Sequence, residues 1–389
     1  MDQSLTPEKS WSILLPTQTN LDKLDLLTTT PKVLAKEGYQ LTELQEFEIW
    51  KKMRCVTCGQ RMKRYHPSIA LARPGTDLIS FEDDRRETQN VSADMTSQKH
   101  ICFYHDGELW KGKYRCCDGH MFSNGCMSFV NHEACELEEV RAQWSFVRSP
   151  ASCAIPTTTD RPQHRGEEKA RGGHLGGYGR GRYVNVYTRN QRMDKPSPSQ
   201  PKLIHKAVAI DCEMGTPKNG TSLDSVLIRL SMVDFFSGTT LIDKLVIPDV
   251  DMLHYNTKYS GVTFSMMRIA RQKREGIKGL TAAQELVFRY VDTDTYIILH
   301  GGSSDLLALR LLHPPDRIID THILENWSQD VRDGKLKRAL KDTCFRRCGI
   351  AVQEAKLENG RAAGHDSLED ALACREIVCA WMRSIPDDV

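Results

Sequence analysis

The sequence predicts an α/β protein in which a mixed sheet is flanked by helices, preceded by a small module rich in cysteine and histidine. Three strand-like apolar runs follow one another within residues 206–248, "KAVAIDCEM", "SVLIRLSMVDFF" and "TTLIDKLVIP", with Gly238 between the last two as in a hairpin. Helical patterns such as "TAAQELVFRYV" then alternate with the short strands "YIILH" and "RIID". This order is typical of a mixed sheet covered by helices.

Length and composition set the first limits on what the chain can be. Its 389 residues correspond to two or three domains, and its net charge of +2 favours no class of partner. The first 20 residues lack a signal-peptide pattern, and no run approaches the roughly 18 apolar residues of a membrane span. We therefore expect an intracellular protein with no membrane partner. Because disulfides are rare inside cells, its 13 cysteines indicate metal binding.

The segment 1–54 is expected to be partly helical. Four apolar side chains recur at helical spacing in "LTELQEFEIWKKM": Leu41, Leu44, Phe47 and Trp50. Thr42 and Gln45 resemble a capping box at the start of this helix. The pattern predicts a helix that packs its apolar face against the rest of the protein.

Residues 55–135 are predicted to form a zinc-binding module. They contain "CVTC", "CFYHDG", "KYRCCDG" and "CMSFVNH", and thiolate and imidazole groups at such spacings are the usual ligands of zinc. A structural site needs four ligands, so eight candidates would fill two Zn²⁺ sites: Cys55, Cys58, Cys102, His105, Cys116, Cys117, Cys126 and His132. Since adjacent side chains point in different directions, we expect Cys116 and Cys117 to bind different ions.

Other cysteines and histidines leave room for alternatives. Cys135, His66 and His120 are reserve ligands, and several of the candidates could instead be reduced cysteines of a core. Four more cysteines lie on predicted helices with no matching histidine, and we expect them in the core: Cys344, Cys348, Cys374 and Cys379.

Residues 150–200 are predicted to be a disordered linker. The segment is rich in glycine, arginine, serine and proline and has few aliphatic side chains, so it cannot bury enough surface to offset the entropy of ordering. Tyr178, Tyr183 and Tyr187 lie among its arginines, a mixture that suits single-stranded nucleic acid. A simple soluble spacer is the equal alternative.

A pair of carboxylates ends the first strand-like run of the domain at residues 203–385. Asp211 and Glu213 stand one residue apart in "AIDCEMGTP", and residues i and i+2 of a strand point to the same face. Two like charges at this spacing repel, so either water screens them or a cation lies between them. We expect both side chains to be exposed.

Three more polar residues complete the pattern. Asp305 starts the helix after "YIILHGG", while "GHDSLEDALACREIVCAWM" places His365 before a helix and Asp370 in its exposed first turns, with Asp366 or Ser367 as the cap. Acidic residues in a first turn often only complement the helix dipole. Together, however, these residues supply carboxylate oxygens that suit Mg²⁺ and an imidazole that could accept a proton from water. Two such ions about 4 Å apart can clamp a phosphodiester.

These motifs resemble those of the DEDDh 3′→5′ exonucleases, in their RNA exonuclease branch. The branch's three motifs are matched by "AIDCEM", "HGGSSDLLALRLLHPPDRIIDTHIL" and "HDSLEDALACREIV", and "TKYSGVTFSMMRIA" is similar to the segment between the first two. The resemblance covers residues 203–385 and implies a ribonuclease H-like exonuclease domain. It implies that two Mg²⁺ or Mn²⁺ ions are bound by four carboxylates, with His365 as the general base: Asp211, Glu213, Asp305 and Asp370.

The second motif departs from the family in one place. Many members have Gly-His before the aspartate, whereas here Leu299 precedes His300 and two glycines follow. Asp320 in "IIDT" also fits the family pattern, and the resemblance implies a supporting role for it. The departure concerns the shape of the loop and leaves Asp305 in place.

The cysteine-rich region also resembles the CHORD zinc-binding module in part. The shared features are C-x2-H-x-G, a cysteine pair, and Gly-Cys followed by His, although the first spacing here is C-x2-C and the last gap is longer. Such a module would bind a protein or RNA.

Three functions follow as hypotheses. The first is a metal-dependent exoribonuclease that acts on the 3′ ends of single-stranded RNA and releases nucleoside 5′-monophosphates by a two-metal mechanism. The second is the same chemistry on DNA, and the third is a zinc-based interaction module attached to an inactive nuclease domain. Family resemblance and basic clusters such as "RQKR" predict residence in the nucleus, with the cytoplasm as the alternative.

Overall fold

A computed structural model gives the fold of the chain. It describes residues 11–62, 102–107, 109–110, 112–120, 123–152, 202–218, 225–327, 338–354, 357–358, 361–362 and 364–387. His66 and the predicted linker beyond residue 152 lie outside the described residues. Within these ranges, no helix combines the length and the apolar character needed to cross a membrane. The predicted division of the chain into four parts stays a prediction.

The helices and strands are numbered in chain order. The first part of the chain contains α1 (Gln18–Leu26), α2 (Pro31–Lys36), α3 (Glu46–Trp50), β1 (Cys102–Tyr104), β2 (Leu109–Trp110), β3 (Lys113–Tyr114), β4 (Met127–Phe129), α4 (Leu137–Gln143) and β5 (Val147–Arg148). The sheet domain, residues 202–387, contains β6 (Ala207–Pro217), β7 (Val226–Asp234), β8 (Thr240–Ile247), β9 (Met252–His254), α5 (Thr257–Ser260), α6 (Phe264–Lys273), β10 (Ile277–Lys278), α7 (Gly279–Val287), β11 (Tyr296–Leu299), α8 (Ser303–Ala308), β12 (Leu311–Leu312), β13 (Ile318–Asp320), α9 (Thr321–Leu324), α10 (Leu340–Cys348), β14 (Leu357–Glu358), β15 (Arg361–Ala362) and α11 (Ser367–Arg383).

The central sheet contains seven strands within the described part of the chain. Its order is β10, β8, β7, β6, β11 and β13, and β9 pairs with the end of β6. β6, β7 and β8 form the predicted antiparallel meander, with Gly238 at φ +72° in the turn between β7 and β8. β11 runs parallel to β6, and β13 runs parallel to β11. The predicted mixed sheet flanked by helices is therefore confirmed.

The side chains of β6 point alternately to the two faces of the sheet, and each face is covered by a hydrophobic cluster of its own. Val208 and Ile210 belong to the cluster that contains residues of α7 and α8, whereas Ala207 and Ala209 belong to the cluster that contains residues of α11. Since successive side chains of a strand point to opposite faces, the carboxylate at position 211 shares the face of Ala209. The middle of β6 thus presents its two acidic residues on the side covered by α11.

The N-terminal segment packs on both faces of the sheet. Leu24 of α1 is fully buried in the α11 cluster, and Leu34 of α2 is fully buried in the opposite one. Arg375 of α11 is also fully buried, and its guanidinium donates to carbonyl oxygens of Ser12 and of the chain just after β7. The Glu376 carboxylate accepts from the Ser12 amide at 2.8 Å and from its hydroxyl at 2.6 Å. These bonds fasten the segment to the sheet domain.

The predicted helix in "LTELQEFEIWKKM" is shorter than expected. Its cap is Gln45 and not Thr42, because the Glu48 carboxylate accepts from the Gln45 amide at 2.8 Å. Phe47, placed by the prediction in the packing stripe, is 54% exposed, whereas Ile49 is buried. A helix of five residues has too few turns to present the predicted four-residue stripe.

An apolar contact and a short strand pair join residues 137–148, which follow the Cys/His region, to the sheet domain. Trp144 and Phe146 pack with Leu312, and β5 runs parallel to β12. The Arg310 guanidinium carbon lies 4.0 Å from the centre of the Trp144 ring, and its Nε donates to the Gln143 carbonyl. The stacked cation therefore ties the end of α4 to the sheet domain.

The four cysteines predicted on helices of the sheet domain lie in the core, as expected. Three are fully or almost fully buried and one is partly buried in the α11 cluster: Cys344, Cys374, Cys379 and Cys348.

Candidate active site

Two carboxylates are placed side by side by the central strand β6. In the pairing with β7, Asp211 lies opposite Ser231 and Glu213 lies opposite Arg229. The register shifts directly after Glu213, so the strand bends where the second carboxylate leaves it. Glu213 is only 9% exposed. The pair therefore sits within the fold and not at a free strand end.

Asp305 reaches the same place from α8. Its Oδ1 accepts a hydrogen bond from the amide of Cys212, the residue between the two strand carboxylates, at 2.8 Å. Asp305 itself is only 7% exposed. This single bond fixes the third carboxylate against the backbone that carries the first two.

His365 and Asp370 come from the start of α11. Asp366 caps this helix by accepting from the Leu368 amide, and Asp370 follows in its first turn. The imidazole Nδ1 of His365 lies 3.5 Å from Oδ2 of Asp370. The His365 amide donates to the Tyr259 carbonyl at 2.6 Å, which holds the loop before α11 against α5. The five predicted residues thus converge beside the middle of β6.

Mutual repulsion and burial alter the acidity of these groups. Burial raises the pKa of Asp211 well above its usual range, and the charges of the other three carboxylates act in the same direction. Burial and Asp370 raise the pKa of Glu213 to about 8, and burial raises the pKa of Asp305 to about 7. Without a compensating cation, the carboxyl groups of Asp211, Glu213 and Asp305 therefore hold protons near neutral pH.

The donor set fits hard divalent cations. Oxygen atoms of carboxylates are the ligands that Mg²⁺ and Mn²⁺ prefer. Among the described residues, Oδ1 of Asp370 is buried and has no hydrogen-bond partner, although its residue is only 3% exposed. A buried, unpaired carboxylate oxygen costs free energy that a bound cation would remove. The arrangement can therefore concentrate positive charge beside an imidazole that could accept a proton.

The exposure of these side chains differs from the prediction. Glu213 and Asp370 were expected to be exposed, but both are buried. The reason is that β6 is a central strand and α11 lies across its face, with Ala371 and Cys374 fully buried against the sheet. The first turn of α11 therefore faces the strand instead of solvent.

Sequence reasoning missed two residues of the site. The side-chain amide of Gln353 donates to Oδ2 of Asp370 at 3.0 Å and lies 3.3 Å from Nδ1 of His365. Gln353 has φ +54°, an unfavourable value for a residue other than glycine, and no sequence signal marks it. Arg229 donates to Asp366 at 2.9 Å and also to Asp243. The sequence did contain a sign of this residue, because Arg229 is a cationic side chain within the apolar run "VLIRLSMVD".

A dependence of stability on pH and metal follows from these acidities. The pKa values of Glu213 and Asp305 are higher in the folded chain than in the unfolded chain, where carboxyl groups titrate near pH ~4. Their contribution to stability is therefore complete below pH ~4 and is lost as the pH rises through about 7 and 8. We expect added Mg²⁺ or Mn²⁺ to raise the melting temperature more at pH ~9 than at pH ~6.

Scanning fluorimetry in metal-depleted buffer, without a chelator that could remove zinc, measures this effect. Asp211→Asn serves as the comparison, because it removes one of the repelling charges and should reduce the difference. An equal metal-induced shift at both pH values would contradict the prediction.

The cysteine-rich region brings its candidates together in two groups of four. The first contains Cys55, Cys58, Cys102 and His132, and the second contains His105, Cys116, Cys117 and Cys126. In each group, one possible ligand atom from every member lies within 4.8 Å of the others. Every cysteine among the described residues is free of disulfides. Both groups could therefore hold a metal ion.

The distances within the groups suit a tetrahedral site. The two sulfur atoms of Cys55 and Cys102 are 3.7 Å apart, and Cys58 Sγ lies 3.3 Å from His132 Nδ1. In the second group, Cys117 Sγ lies 3.4 Å from His105 Nδ1. A tetrahedron with zinc–ligand distances of about 2.3 Å for sulfur and about 2.0 Å for nitrogen has edges of roughly 3.5 to 3.8 Å. The donor atoms thus already have nearly the spacing that such an ion requires.

The expectation that Cys116 and Cys117 serve different ions is wrong. Both belong to the second group. The rule of opposite directions holds for a strand, but these two residues lie in a turn after β3, where the Tyr114 carbonyl accepts from the amides of Cys117 and Asp118. Of the reserve ligands, Cys135 and His120 lie in neither group.

Comparison with known proteins finds relatives that are named as RNA exonucleases. The chain is 24% identical to RNA exonuclease 3 of Candida albicans over an alignment of 379 residues. This alignment covers 96% of this chain and 72% of that protein. It is 31% identical over 175 residues to RNA exonuclease 3 of Saccharomyces cerevisiae, covering 45% of this chain and 37% of that protein. No family model matches the chain.

Among solved structures, the chain is similar to the Saccharomyces cerevisiae Pan2 pseudoubiquitin hydrolase-RNA exonuclease module in complex with AAGGA RNA. The match has a TM-score of 0.38 and 18% identity, and it covers 52% of this chain and 33% of that one. The relatives confirm the predicted resemblance to the DEDDh-type RNA exonucleases and identify the chain as an exonuclease, a hydrolase.

Proposed function

We propose that this exonuclease is a metal-dependent 3′→5′ exoribonuclease that hydrolyses single-stranded RNA to nucleoside 5′-monophosphates. The observation that carries the proposal is the convergence of four carboxylates and an imidazole beside the middle of β6, with a buried and unpaired oxygen on Asp370. Relatives named as RNA exonucleases support RNA as the substrate.

Each residue of the site has a role in the proposed reaction. Asp211, Glu213, Asp305 and Asp370 would hold two Mg²⁺ or Mn²⁺ ions, which supply Lewis-acid chemistry and lower the pKa of bound water. His365 would accept the proton of the attacking water, and the hydrogen bond to Asp370 raises the pKa of this imidazole and so strengthens it as a base.

A time course of RNA degradation tests the proposal. Single-stranded RNA labelled at its 5′ end should shorten stepwise in Mg²⁺, while RNA labelled at its 3′ end should release labelled nucleoside 5′-monophosphate at once. EDTA should stop the reaction, and excess Mg²⁺ or Mn²⁺ should restore it. Products that begin at the 5′ end, or degradation that continues in EDTA, would overturn the proposal.

An oligodeoxynucleotide of the same sequence, mixed with the RNA in one reaction, separates the two possible substrates. We expect the RNA to be consumed first, because contacts to the 2′-hydroxyl are the means by which proteins distinguish RNA from DNA. Faster loss of the DNA strand would assign the enzyme to DNA. Loss of neither strand, with no binding of Mn²⁺ by calorimetry, would favour an inactive nuclease domain attached to an interaction module.

We propose that the two Cys/His groups hold structural Zn²⁺. The support is their tetrahedral spacing and the burial of Cys55 and Cys102, which are 1% and 0% exposed. The module would bind a protein or RNA, and Phe103 and Phe129 are each 51% exposed on the β1–β4 pair. Nuclear residence is part of the same proposal and is supported by the exposed basic residues Arg271, Lys273 and Arg274.

Zinc content after substitution of single cysteines tests the two sites. Cys102→Ser and Cys126→Ser should each lower the metal content from two zinc ions to one per chain, measured by mass spectrometry of the purified protein. Cys102→Ser should also lower the melting temperature more, because its group is buried, and structural zinc supplies on the order of 10 kcal/mol of folding free energy. Cys135→Ser is the matched control and should keep both ions. Unchanged zinc content in both test variants would contradict the assignment.

A further inference from the structure

Asp320, at the end of β13, is the centre of a hydrogen-bond network beside the active site. Its Oδ1 accepts from the amides of Gly301 and His322, each at 2.8 Å, and its Oδ2 accepts from the Gly302 amide at 3.3 Å. The hydroxyl of Tyr39 donates to Oδ2 at 2.6 Å. Asp320 is only 2% exposed, so these four donors take the place of water around a buried carboxylate.

The network holds the turn from which Asp305 starts. Gly301 has φ +65°, and Gly302 caps α8, since its carbonyl accepts from the amides of Asp305 and Leu306. A side chain at Gly302 would place its first carbon 2.4 Å from Leu299, so the turn is closely packed. Asp305 in turn accepts from the Cys212 amide on β6. One chain of hydrogen bonds therefore runs from Tyr39 through Asp320 and the turn to the strand of the first two carboxylates.

Tyr39 comes from the N-terminal segment, far in sequence from every residue of the active site. It is 5% exposed and packs in the same cluster as Leu34, Cys212 and Leu306. Burial raises the pKa of Tyr39 well above its usual range, and Asp320 acts in the same direction, so the hydroxyl stays protonated and acts as a donor. No motif in the sequence marked this residue.

We propose that Tyr39 is a positioning residue for the catalytic centre: by its hydrogen bond to Asp320 it fixes the Gly301–Gly302 turn, and thereby the orientation in which Asp305 is presented to the metal ions. The expected effect on kcat rests on the proposed metal-dependent function. It makes the N-terminal segment a contributor to the active site as well as a part of the core. Partners that orient metal ligands in this way typically change metal affinity by about tenfold to a hundredfold when removed.

Tyr39→Phe in the full chain tests this role, with Tyr296→Phe as the matched control. Both tyrosines are 5% exposed, and both hydroxyls donate to an aspartate: Tyr39 to Asp320 and Tyr296 to Asp25. Tyr296, however, begins β11, four residues and about 13 Å of strand before His300. Each substitution removes one oxygen atom and leaves the apolar ring in place, so both variants should fold.

The readouts are the affinity for Mn²⁺ by calorimetry and the separate values of kcat and KM on single-stranded RNA. Tyr39→Phe should weaken Mn²⁺ binding about tenfold and lower kcat while KM for RNA stays unchanged. Tyr296→Phe should keep both values, and its melting temperature should fall less, because the side chain of Asp25 is 55% exposed whereas Asp320 is buried. Wild-type Mn²⁺ affinity and kcat in Tyr39→Phe, or equal losses in both variants, would overturn the inference. The calorimetry tests Tyr39 even if RNA is not the substrate, so the two proposals can fail separately.

Discussion

Asp211→Asn is expected to lower the rate of RNA hydrolysis about a thousandfold while leaving the metal-free protein as stable as the wild type or more so. Asp211 stands among three other acidic groups, and its burial and their charges raise its pKa. Asparagine has no charge to lose, so the substitution avoids the cost of either ionising or protonating Asp211 in the metal-free site. It also removes a ligand of ions that lower the barrier by several kcal/mol, and about 4 kcal/mol corresponds to a thousandfold in rate. Initial rates in Mg²⁺ and melting temperatures in metal-depleted buffer measure the two effects.

Asp234→Asn is the control, because it changes a buried aspartate on the neighbouring strand β7 outside the carboxylate group. The Asp234 carboxylate accepts from the amide and hydroxyl of Ser237 and lies 2.7 Å from His205. Despite the opposing effect of burial, these partners lower its pKa, so its charge stabilises the fold. This variant should melt at a lower temperature and keep its activity. If Asp211→Asn instead loses stability and keeps its rate, Asp211 is a structural residue.

His365→Ala is expected to lower kcat by about a hundredfold to ten-thousandfold, the usual contribution of a general base, with Mn²⁺ affinity nearly unchanged. The hydrogen bond to Asp370 raises the pKa of His365, and only the neutral imidazole can accept a proton. The wild-type rate, measured with Mg²⁺ bound, should therefore increase as the pH rises through the pKa of His365. In the variant, this rise should disappear from the pH profile of kcat.

His205→Ala is the comparison for this prediction. His205 also pairs with an aspartate, Asp234, but its side chain is only 19% exposed, whereas that of His365 is 48% exposed. The change should leave kcat and its pH profile intact. A profile that keeps its rise in His365→Ala would show that another group accepts the proton.

The parts of the structure that depend on neighbouring residues were predictable from the sequence. The meander β6–β8 follows from three apolar runs with Gly238 between two of them, and the capping of α11 follows from Asp366. The convergence of the catalytic candidates came from motif order and family resemblance, because the distance between Asp211 and Asp370 in the chain gives no geometric information by itself.

The parts that depend on tertiary packing were not predictable. Asp370 was expected at an exposed helix start, but α11 lies across the central strand and buries it. Gln353 and Tyr39 reach the site from segments without a recognisable motif. The turn after β3 could not be predicted from the alternation of side chains along a strand. Because of this turn, Cys116 and Cys117 belong to the same group of possible ligands.

The fastening of Ser12 by Arg375 and Glu376 has a practical consequence. Since the first part of the chain shares buried surfaces and hydrogen bonds with the sheet domain, the continuity of the polypeptide between residues 152 and 202 is not what holds the two together. Two separately synthesised halves, divided within that interval, should recognise each other and rebuild the enzyme. Conversely, a shortened protein that starts at residue 202 would uncover apolar surface on both sides of its sheet and would tend to aggregate.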